Sequence, residues 1–350
     1  MDDTQLNLRQ QHILDVLLKQ GPLSRKQIAE KMQYQPTKIT LIRDMNALKE
    51  QGLILSRGQG RAVRYALVES HPLLSYLDLD AYFSRGPDAR EVLHPNFDGA
   101  MLNDLKNLFM AKELRMFDSG ATRFFELMQK HPDARQRKEL QRFVIEFSWK
   151  SSRIEGNTYS LFETENLIRN RSEAMGHPRE EAIMILNHKD AFDHVLTYRS
   201  RFRVPGMEEM LSLHAILTKD LSIEQGIRSN PVRITGTRYL PSAKPAEIRK
   251  AMETLIHAAK AAAHPAERAF ILLVGIAYIQ AFEDGNKRTS RLTSNAVLLA
   301  HNLPPLSFRS MVEEEYRQAV LAFYERHSLF HLKRIFIEQF RFAEENYFKD

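Results

Sequence analysis

Apolar positions along the chain fall into two regions with different spacing. Over residues 6–68, three segments place apolar residues every three or four positions, and two β-rich runs then flank Gly58-Gln59-Gly60. Glycine and proline separate the segments, as at Gly21-Pro22 and Gly52. This pattern predicts three short helices followed by a hairpin. The residues expected on the buried faces of the first and third helices are Leu8, Ile13, Val16, Leu17, Ile39, Ile42, Met45 and Leu48.

The rest of the chain has mainly helical spacing. Residues 71–100, with three prolines and two glycines, break the pattern and predict a linker. A second exception is 231–241, which alternates, turns at Thr235-Gly236 and predicts a short β-hairpin able to hold an extended peptide along its edge. The sequence therefore predicts a mainly α protein, with a helix-turn-helix domain over 1–70 and an all-helical domain with a small hairpin over 101–350.

Composition narrows the class of protein. Hydrophobic residues make up 43% and charged residues 27% of the chain, which is typical of a globular protein, and the absence of cysteine excludes disulfides and thiolate metal sites. The longest apolar run, 269–279, has 11 residues. A bilayer span needs roughly 20. Because the polar N-terminus also has no signal core, we expect a cytoplasmic protein with no membrane partner.

Positive charge is concentrated at the N-terminus. Residues 1–70 hold eleven Lys/Arg against seven Asp/Glu, a net +4 of the total +6. Three helices followed by a basic hairpin resemble a winged helix, whose third helix enters the major groove while its wing contacts phosphates. The residues predicted to contact DNA are Gln35, Thr37, Lys38, Thr40 and Arg43 on the helix and Arg57, Arg61 and Arg64 on the wing. The alternative is a protein-binding winged helix with a solvated polar face.

The segment IQAFEDGNKRTSR (279–291) is typical of a cradle for phosphate. Gly285 permits a turn in which the amides of 285–288 point inward, and a helix predicted to begin near Lys287 adds its positive end. Three side chains are expected to complete the cradle. Arg288 and Arg291 would bind phosphate oxygens, and Asp284 would bind a divalent cation. The alternative is an ordinary helix corner with a glycine cap and solvated basic residues.

A second feature lies in SWKSSRIEGNTYSL (148–161). Ser151 and Glu155 are four residues apart, on one face of a predicted helix that ends at Gly156. A carboxylate at a helix end could pair with a distant arginine. The alternative is an exposed terminal glutamate, which is common.

Together these motifs resemble the Fic-domain family. QAFEDGNKRTSR resembles its signature, His-Pro-Phe-x-Asp/Glu-Gly-Asn-Gly/Lys-Arg-x-x-Arg. SSRIEG resembles its inhibitory motif, Ser/Thr-x-x-x-Glu-Gly/Asn, in the arrangement N-terminal to the core. Matches at LHAIL (213–217) and GIRSNPVRITGTRYLP (226–241) extend the resemblance over about 145–345. A winged helix joined to such a domain is a known arrangement of the family.

The resemblance implies an activity and a set of roles. Fic enzymes transfer AMP from ATP to a Ser, Thr or Tyr hydroxyl of a target protein, and the signature histidine removes the hydroxyl proton. By position, the resemblance implies an anion nest at Gly285, Asn286, Lys287 and Arg288, with Arg291 as the γ-phosphate arginine and Asp284 as the Mg²⁺ ligand. It implies inhibitory residues at Ser151, Glu155 and Gly156. It also implies a target-docking flap at Ile234, Thr235, Gly236 and Thr237.

Two positions depart from the signature. Gln280 stands where the family has histidine, and Ala281 replaces the proline. A glutamine amide can orient a hydroxyl but cannot take up its proton near neutral pH. A general base contributes about 10²–10⁴-fold, so feeble transfer at best is expected. His214, within LHAIL, is expected to be a packed helix histidine and not a substitute base.

Three functional hypotheses follow. The first is a DNA-binding transcriptional regulator, possible as a homodimer on paired half-sites, whose degenerate Fic domain binds ATP and Mg²⁺ under the control of Glu155. The second is an AMP-transferring enzyme that acts on a protein hydroxyl despite Gln280. The third is a toxin–antitoxin-like pair fused in one chain, in which 148–156 restrains the site.

Overall fold

Three helices and a two-stranded sheet form the N-terminal domain. The computed structural model describes residues 6–20, 22–32, 35–68, 71–130 and 132–347. The N-terminal elements are α1 (Leu8–Gln20), α2 (Arg25–Lys31), α3 (Lys38–Glu50), β1 (Ile54–Arg57) and β2 (Arg64–Leu67). The strands pair antiparallel, from Ile54 opposite Leu67 to Arg57 opposite Arg64. The predicted helix-turn-helix with a hairpin wing is confirmed.

Two residues expected in the core of this domain lie at its surface. Leu8 is 74% and Ile39 is 76% exposed, while Leu14 and Leu41 are buried. In α3 the buried face runs through Leu41, Met45 and Leu48. At 3.6 residues per turn, Ile39 points about 160° away from Leu41, on the opposite side of the helix. The prediction that Leu8 and Ile39 are buried was therefore wrong.

The segment 71–100 packs against the rest of the protein. It contains the short helix α4 (Leu79–Phe83), and Leu73 belongs to the main hydrophobic core. Arg90 Nε and Nη2 donate to the two carboxylate oxygens of Glu325 at 3.1 and 2.8 Å, and both side chains are buried. The Tyr82 hydroxyl donates to the same carboxylate at 2.7 Å. A buried ion pair thus fixes this segment to the helical domain.

The C-terminal region is helical, as predicted. Its helices are α5 (Ala111–Lys130), α6 (Asp133–Ile154), α7 (Leu161–Asn170), α8 (Arg179–Thr197), α9 (Met207–Leu217), α10 (Pro245–Ala261), α11 (Pro265–Ile279), α12 (Asn286–Ala300), α13 (Glu313–Arg326) and α14 (Phe330–Asn346). Every residue of α11 from Ala266 to Ile279 is buried, so the long apolar run is the central helix of the domain. Within the described part of the chain, no helix is long and apolar enough to cross a membrane.

The predicted hairpin at 231–241 does not form paired strands. The segment turns at Thr235-Gly236, but no backbone ladder joins its two arms. Instead Leu240 forms a parallel bridge with Asn96, in which Phe97 N donates to Leu240 O at 2.9 Å and Leu240 N donates to Pro95 O at 2.8 Å. The arm after the turn therefore obtains its backbone partners from the linker. The prediction of a paired hairpin was wrong. We keep the name flap for residues 231–241.

We expect Arg90→Met to lower the free energy of unfolding by about 3–5 kcal/mol, because it leaves a buried carboxylate without its cation. Urea denaturation followed by circular dichroism measures this change. Arg169→Met is the control, since it removes only exposed contacts, an ion pair with Glu165 and a hydrogen bond to Gln141. Equal denaturation midpoints for the two variants would show that the Arg90–Glu325 pair does not hold the linker.

Candidate nucleotide site

The loop between α11 and α12 has the backbone geometry of an anion site. Gly285 adopts the left-handed conformation, with φ of 78°, and α12 begins at the next residue, Asn286. The Asn286 side chain accepts from Phe282 N at 2.9 Å and donates to Phe282 O at 2.8 Å, which closes the loop. The first amides of α12 have no partners within the helix and face its N-terminal end. The side chain of Asn286 thus shapes the loop, and only its backbone remains for a phosphate.

His214, on α9, packs against this loop. Its ring stacks on Phe282 with centroids 3.9 Å apart, and its Nε2 donates to Asp284 O at 3.0 Å. Burial lowers the pKa of His214, so the ring is neutral at pH 7. A Cβ on Gly285 would lie 3.2 Å from the Thr218 side chain, a tight contact, and the positive φ of Gly285 also disfavours a larger residue. These contacts agree with the expected packed histidine.

Glu155, at the end of α6, lies against the first turns of α12. Its Oε1 accepts from Arg291 Nη2 at 2.8 Å, and its Oε2 accepts from Lys287 Nζ at 2.9 Å. Arg291 also donates through Nε to Ser151 Oγ at 2.9 Å and through Nη2 to the Ser151 carbonyl at 2.8 Å. Gly156 follows with φ of 101° and turns the chain away. The Glu155 carboxylate therefore pairs with Lys287 and Arg291, two cations that the sequence assigned to phosphate binding.

The electrostatics of this contact favour the ionised glutamate. Burial alone would raise the pKa of Glu155, but Arg291 and Lys287 outweigh it and lower the pKa to about 2. The Arg291 side chain is fully buried and its guanidinium stands 5.8 Å from the centre of the Tyr316 ring. The site thus holds a buried cation beside the Glu155 carboxylate and the Tyr316 ring.

Asp284 and Arg288 form a pair at the opening of the site. Arg288 Nη2 donates to Asp284 Oδ2 at 3.0 Å, and the Asp284 side chain is 67% exposed. In the described part of the chain, no group of three or more His, Asp or Glu side chains could hold a metal. Asp284 therefore fits Mg²⁺ only in the mode in which one carboxylate acts together with substrate phosphates and water.

The orientation of the Gln280 amide follows from its neighbours. Tyr324 uses its only proton to donate to the Ala277 carbonyl, so it can only accept from Gln280. Gln280 Nε2 donates to Ala277 O at 2.7 Å and to Tyr324 Oη at 3.3 Å. Both amide protons are therefore used inside the protein. Oε1, an acceptor, is the group of Gln280 that remains for a ligand.

Arg228 connects Gln280 to the flap, and sequence reasoning assigned it no role. Its guanidinium donates to the carbonyls of Gln280 at 2.7 Å, Asn230 at 2.7 Å and Ser242 at 2.6 Å. The residue is 1% exposed. It lies in GIRSNPVRITG, but two of its three acceptors, the carbonyls of Gln280 and Ser242, are distant in sequence, and no local pattern reveals them.

The flap residues lie at the surface, between the linker and the main core. Ile234 is half-buried against the core, Thr235 and Gly236 are exposed, and Thr237 Oγ1 accepts from Tyr239 N at 3.0 Å. Arg90 Nη2 donates to the Gly236 carbonyl. The linker thus holds the tip of the flap as well as its second arm.

The predicted DNA contacts on α3 and on the strands lie mostly at the surface of the N-terminal domain. Thr37 caps α3 by accepting from Thr40 N at 3.2 Å. The residues that are exposed are Gln35, Thr37, Lys38, Arg43, Arg57 and Arg64, while Thr40 is half-buried. The side chain of Arg61 lies outside the described part of the structure. One exposed residue on this surface, Ile39, was not predicted to be there.

Comparison with known proteins identifies two domains. A family model described as Fic/DOC family matches residues 206–298, and one described as DeoR-like helix-turn-helix domain matches residues 9–66. Two relatives are named protein adenylyltransferase Fic. The one from Nematostella vectensis is 25% identical over 186 residues, which are 51% of this chain and 43% of the relative. The one from Drosophila mojavensis is 27% identical over 169 residues, 47% of this chain and 33% of the relative. This chain thus aligns with less than half of the length of these two relatives.

Solved structures show the same fold. A Fic-1 fragment from C. elegans has a TM-score of 0.54 at 20% identity and covers 67% of this chain and 69% of its own. A Fic-domain signaling protein from Bacteroides thetaiotaomicron also has a TM-score of 0.54 at 20% identity, with 67% of this chain and 96% of its own covered. At this identity the similarity concerns the fold alone.

The Glu155 contact should respond to pH only under strongly acidic conditions. Because its pKa is lowered to about 2 in the folded protein, its ion pairs stabilise the fold above the usual carboxyl pKa. That stability is lost as the pH falls through about 2. The difference in unfolding free energy between the wild type and Glu155→Gln should stay constant from about pH 5 to 8 and shrink below about pH 4. Chemical denaturation across this range measures it, and a decline between pH 8 and 5 would contradict the assignment.

Proposed function

We propose, on the premise that this chain joins a DeoR-like helix-turn-helix domain to a Fic/DOC family domain, that it is a DNA-binding regulator with a nucleotide-responsive helical domain. The helical domain binds ATP together with Mg²⁺, and Glu155 sets how much of it is occupied. The domain boundaries of the proposal are 1–70 for DNA binding, 71–100 for the linker and 101–350 for nucleotide binding. A homodimer on paired half-sites fits the winged-helix arrangement.

The contact of Glu155 with Lys287 and Arg291 is the observation that carries this proposal. The two cations stand beside the N-terminal end of α12, where backbone amides and the helix dipole also favour negative charge. A single carboxylate now fills a place suited to a more highly charged anion. A triphosphate offers more acceptor oxygens to the same donors, so it competes with Glu155 for them.

Asp284 and Arg288 lie at the opening of the site, where they would contact the metal and the inner phosphates. Mg²⁺ would neutralise phosphate charge there, with Asp284 as its protein ligand. Arg288 is 1% exposed and already pairs with Asp284, so its charge is fixed in place before any ligand arrives. A preorganised cation of this kind favours binding because little reorganisation is needed.

The presence of Gln280 favours a nucleotide-binding function over a catalytic one. Its Oε1 can accept a hydrogen bond from a target hydroxyl, but an amide oxygen cannot hold the proton as a base does. Tyr324 does not replace the base, because burial raises the pKa of its hydroxyl well above the usual value. The regulator hypothesis therefore takes precedence over the enzyme hypothesis.

Residual AMP transfer is the second candidate function. The relatives named protein adenylyltransferase, and an anion site with both Asp284 and Arg291 in place, favour it. In this case the flap would position a protein hydroxyl near the α-phosphate. Positioning and electrostatics can account for much of the rate of phosphoryl transfer, so weak activity can persist without the base.

The first test measures nucleotide affinity. By isothermal titration with Mg-ATP, we expect Glu155→Ala to bind at least about fivefold more tightly than the wild type, because the internal competitor is gone. Adding Arg291→Ala to that variant should remove the gain. Glu165→Ala, which changes an exposed glutamate paired with Arg169, is the control and should behave as the wild type. No detectable ATP binding by either the wild type or Glu155→Ala would refute the proposal.

The second test measures transfer. With labelled ATP, we expect Glu155→Ala to show little or no modification of itself or of lysate proteins. Addition of Gln280→His should raise transfer by about 10²–10⁴-fold, because the imidazole supplies the missing base. Gln318→His, on α13, controls for an added histidine. Strong transfer by Glu155→Ala alone would reverse the ranking of the two functions, and no gain from Gln280→His would show that ATP is not held in a reactive pose.

A further inference from the structure

The solvent-facing side of α3 combines an isoleucine with two polar residues. Ile39, Arg43 and Asn46 are all exposed, Ile39 at 76%. Their spacing of four and then three residues places them on one face of the helix. The opposite face, through Leu41 and Met45, is buried in the domain core. The large apolar side chain of Ile39 is therefore exposed to solvent in the first turn of α3.

The charge around Ile39 indicates which kind of partner covers it. Single exposed apolar residues are common, so exposure alone identifies no partner. Here Lys38 and Arg43 flank the isoleucine, and both are exposed. The carboxylate of Asp44 is turned away, since it is 3% exposed and pairs with Arg9 at 2.7 Å. An apolar residue between unshielded cations matches the major groove of DNA, where phosphates border the thymine methyl groups.

We propose that Ile39 contacts a thymine methyl group and, with Arg43 and Asn46, sets the base preference of this protein. The proposal rests on the DNA-binding function proposed above and names the residues that read the sequence. Arginine pairs best with guanine and asparagine with adenine in the major groove. From Ile39 to Asn46 the helix rises by about 10 Å, which is the length of about three base pairs.

The contribution of Ile39 can be measured by removing either side of the contact. Uracil lacks only the methyl group of thymine, so replacing one thymine by uracil deletes the partner of Ile39 and leaves the hydrogen-bonding edge unchanged. Loss of one buried methyl group corresponds to about a fourfold loss of affinity. The variant Ile39→Ala deletes the other side and keeps good helix propensity at an exposed position.

The experiment begins with selection of binding sites from randomised duplex DNA by the full-length protein. Fluorescence anisotropy at fixed salt then measures the affinity for the selected site and for versions with uracil at each thymine in turn. For the wild type we expect one position at which uracil weakens binding about fourfold. For Ile39→Ala we expect weaker binding to the thymine site by a similar factor and less than a twofold effect of uracil at that position.

Leu8→Ala provides the matched control. Leu8 is also an exposed aliphatic residue of the same domain, at 74%, but it lies on α1. This variant should keep the affinity of the wild type and its sensitivity to uracil. Circular dichroism melting of both variants should show the wild-type transition, because neither residue belongs to the core.

The outcomes separate this inference from the function on which it rests. If the wild type binds no duplex at low salt and selection enriches no sequence, the DNA-binding function itself fails. If a site is selected but Ile39→Ala keeps the same sensitivity to uracil at every position, only the role of Ile39 is overturned. If Ile39→Ala binds the selected DNA as the wild type does but loses self-association in sedimentation experiments, Ile39 belongs to an interface between copies of the chain.

Discussion

The carboxylate of Glu155 joins two cations of the candidate nucleotide site. It bridges Lys287 and Arg291 at 2.9 and 2.8 Å, and the Arg291 side chain is completely buried. A buried guanidinium needs an anion or several acceptors close by, and among described residues Glu155 is the one carboxylate that pairs with Arg291, beside Ser151 and the Tyr316 ring. Negative charge at this place therefore stabilises the buried cation. Either the protein supplies that charge from α6 or a ligand supplies it, and one set of donors cannot serve both.

The same requirement organises the surroundings of the site. Arg228 has three backbone carbonyls as acceptors and links Gln280 to both ends of the flap. Arg90 pairs with Glu325 and also reaches the tip of the flap at Gly236. Each of these buried cations joins segments that are distant in sequence, because a buried charge is stable only where several acceptors converge. The flap is consequently held from Gln280 on one side and from the linker on the other.

Binding and catalysis make separate demands on this architecture. The anion site depends on the conformation of Gly285, on the loop closed by Asn286 and on the cations of α12, and all of these are in place. Proton transfer depends on one side chain, and at that position the chain has an amide whose protons are both used internally. The proposed function accordingly separates nucleotide binding, for which these groups are present, from transfer, for which the base is absent. That combination suits a sensor joined to a DNA-binding domain.

The sequence by itself determined the helical class, the helix-turn-helix with its wing, and the residues of the loop after α11, because periodicity, caps and glycine positions are local properties. It also predicted which glutamate and arginine belong together, through a resemblance between motifs. It did not predict that Ile39 is exposed, since the apolar residues of α3 allow a buried face through Ile39 or one through Leu41, and the core selected Leu41. Nor did it predict that the flap pairs with the linker, or that Arg228 and Arg90 hold it. Those contacts join residues far apart along the chain, and only the packing of the whole domain brings their donors and acceptors within reach.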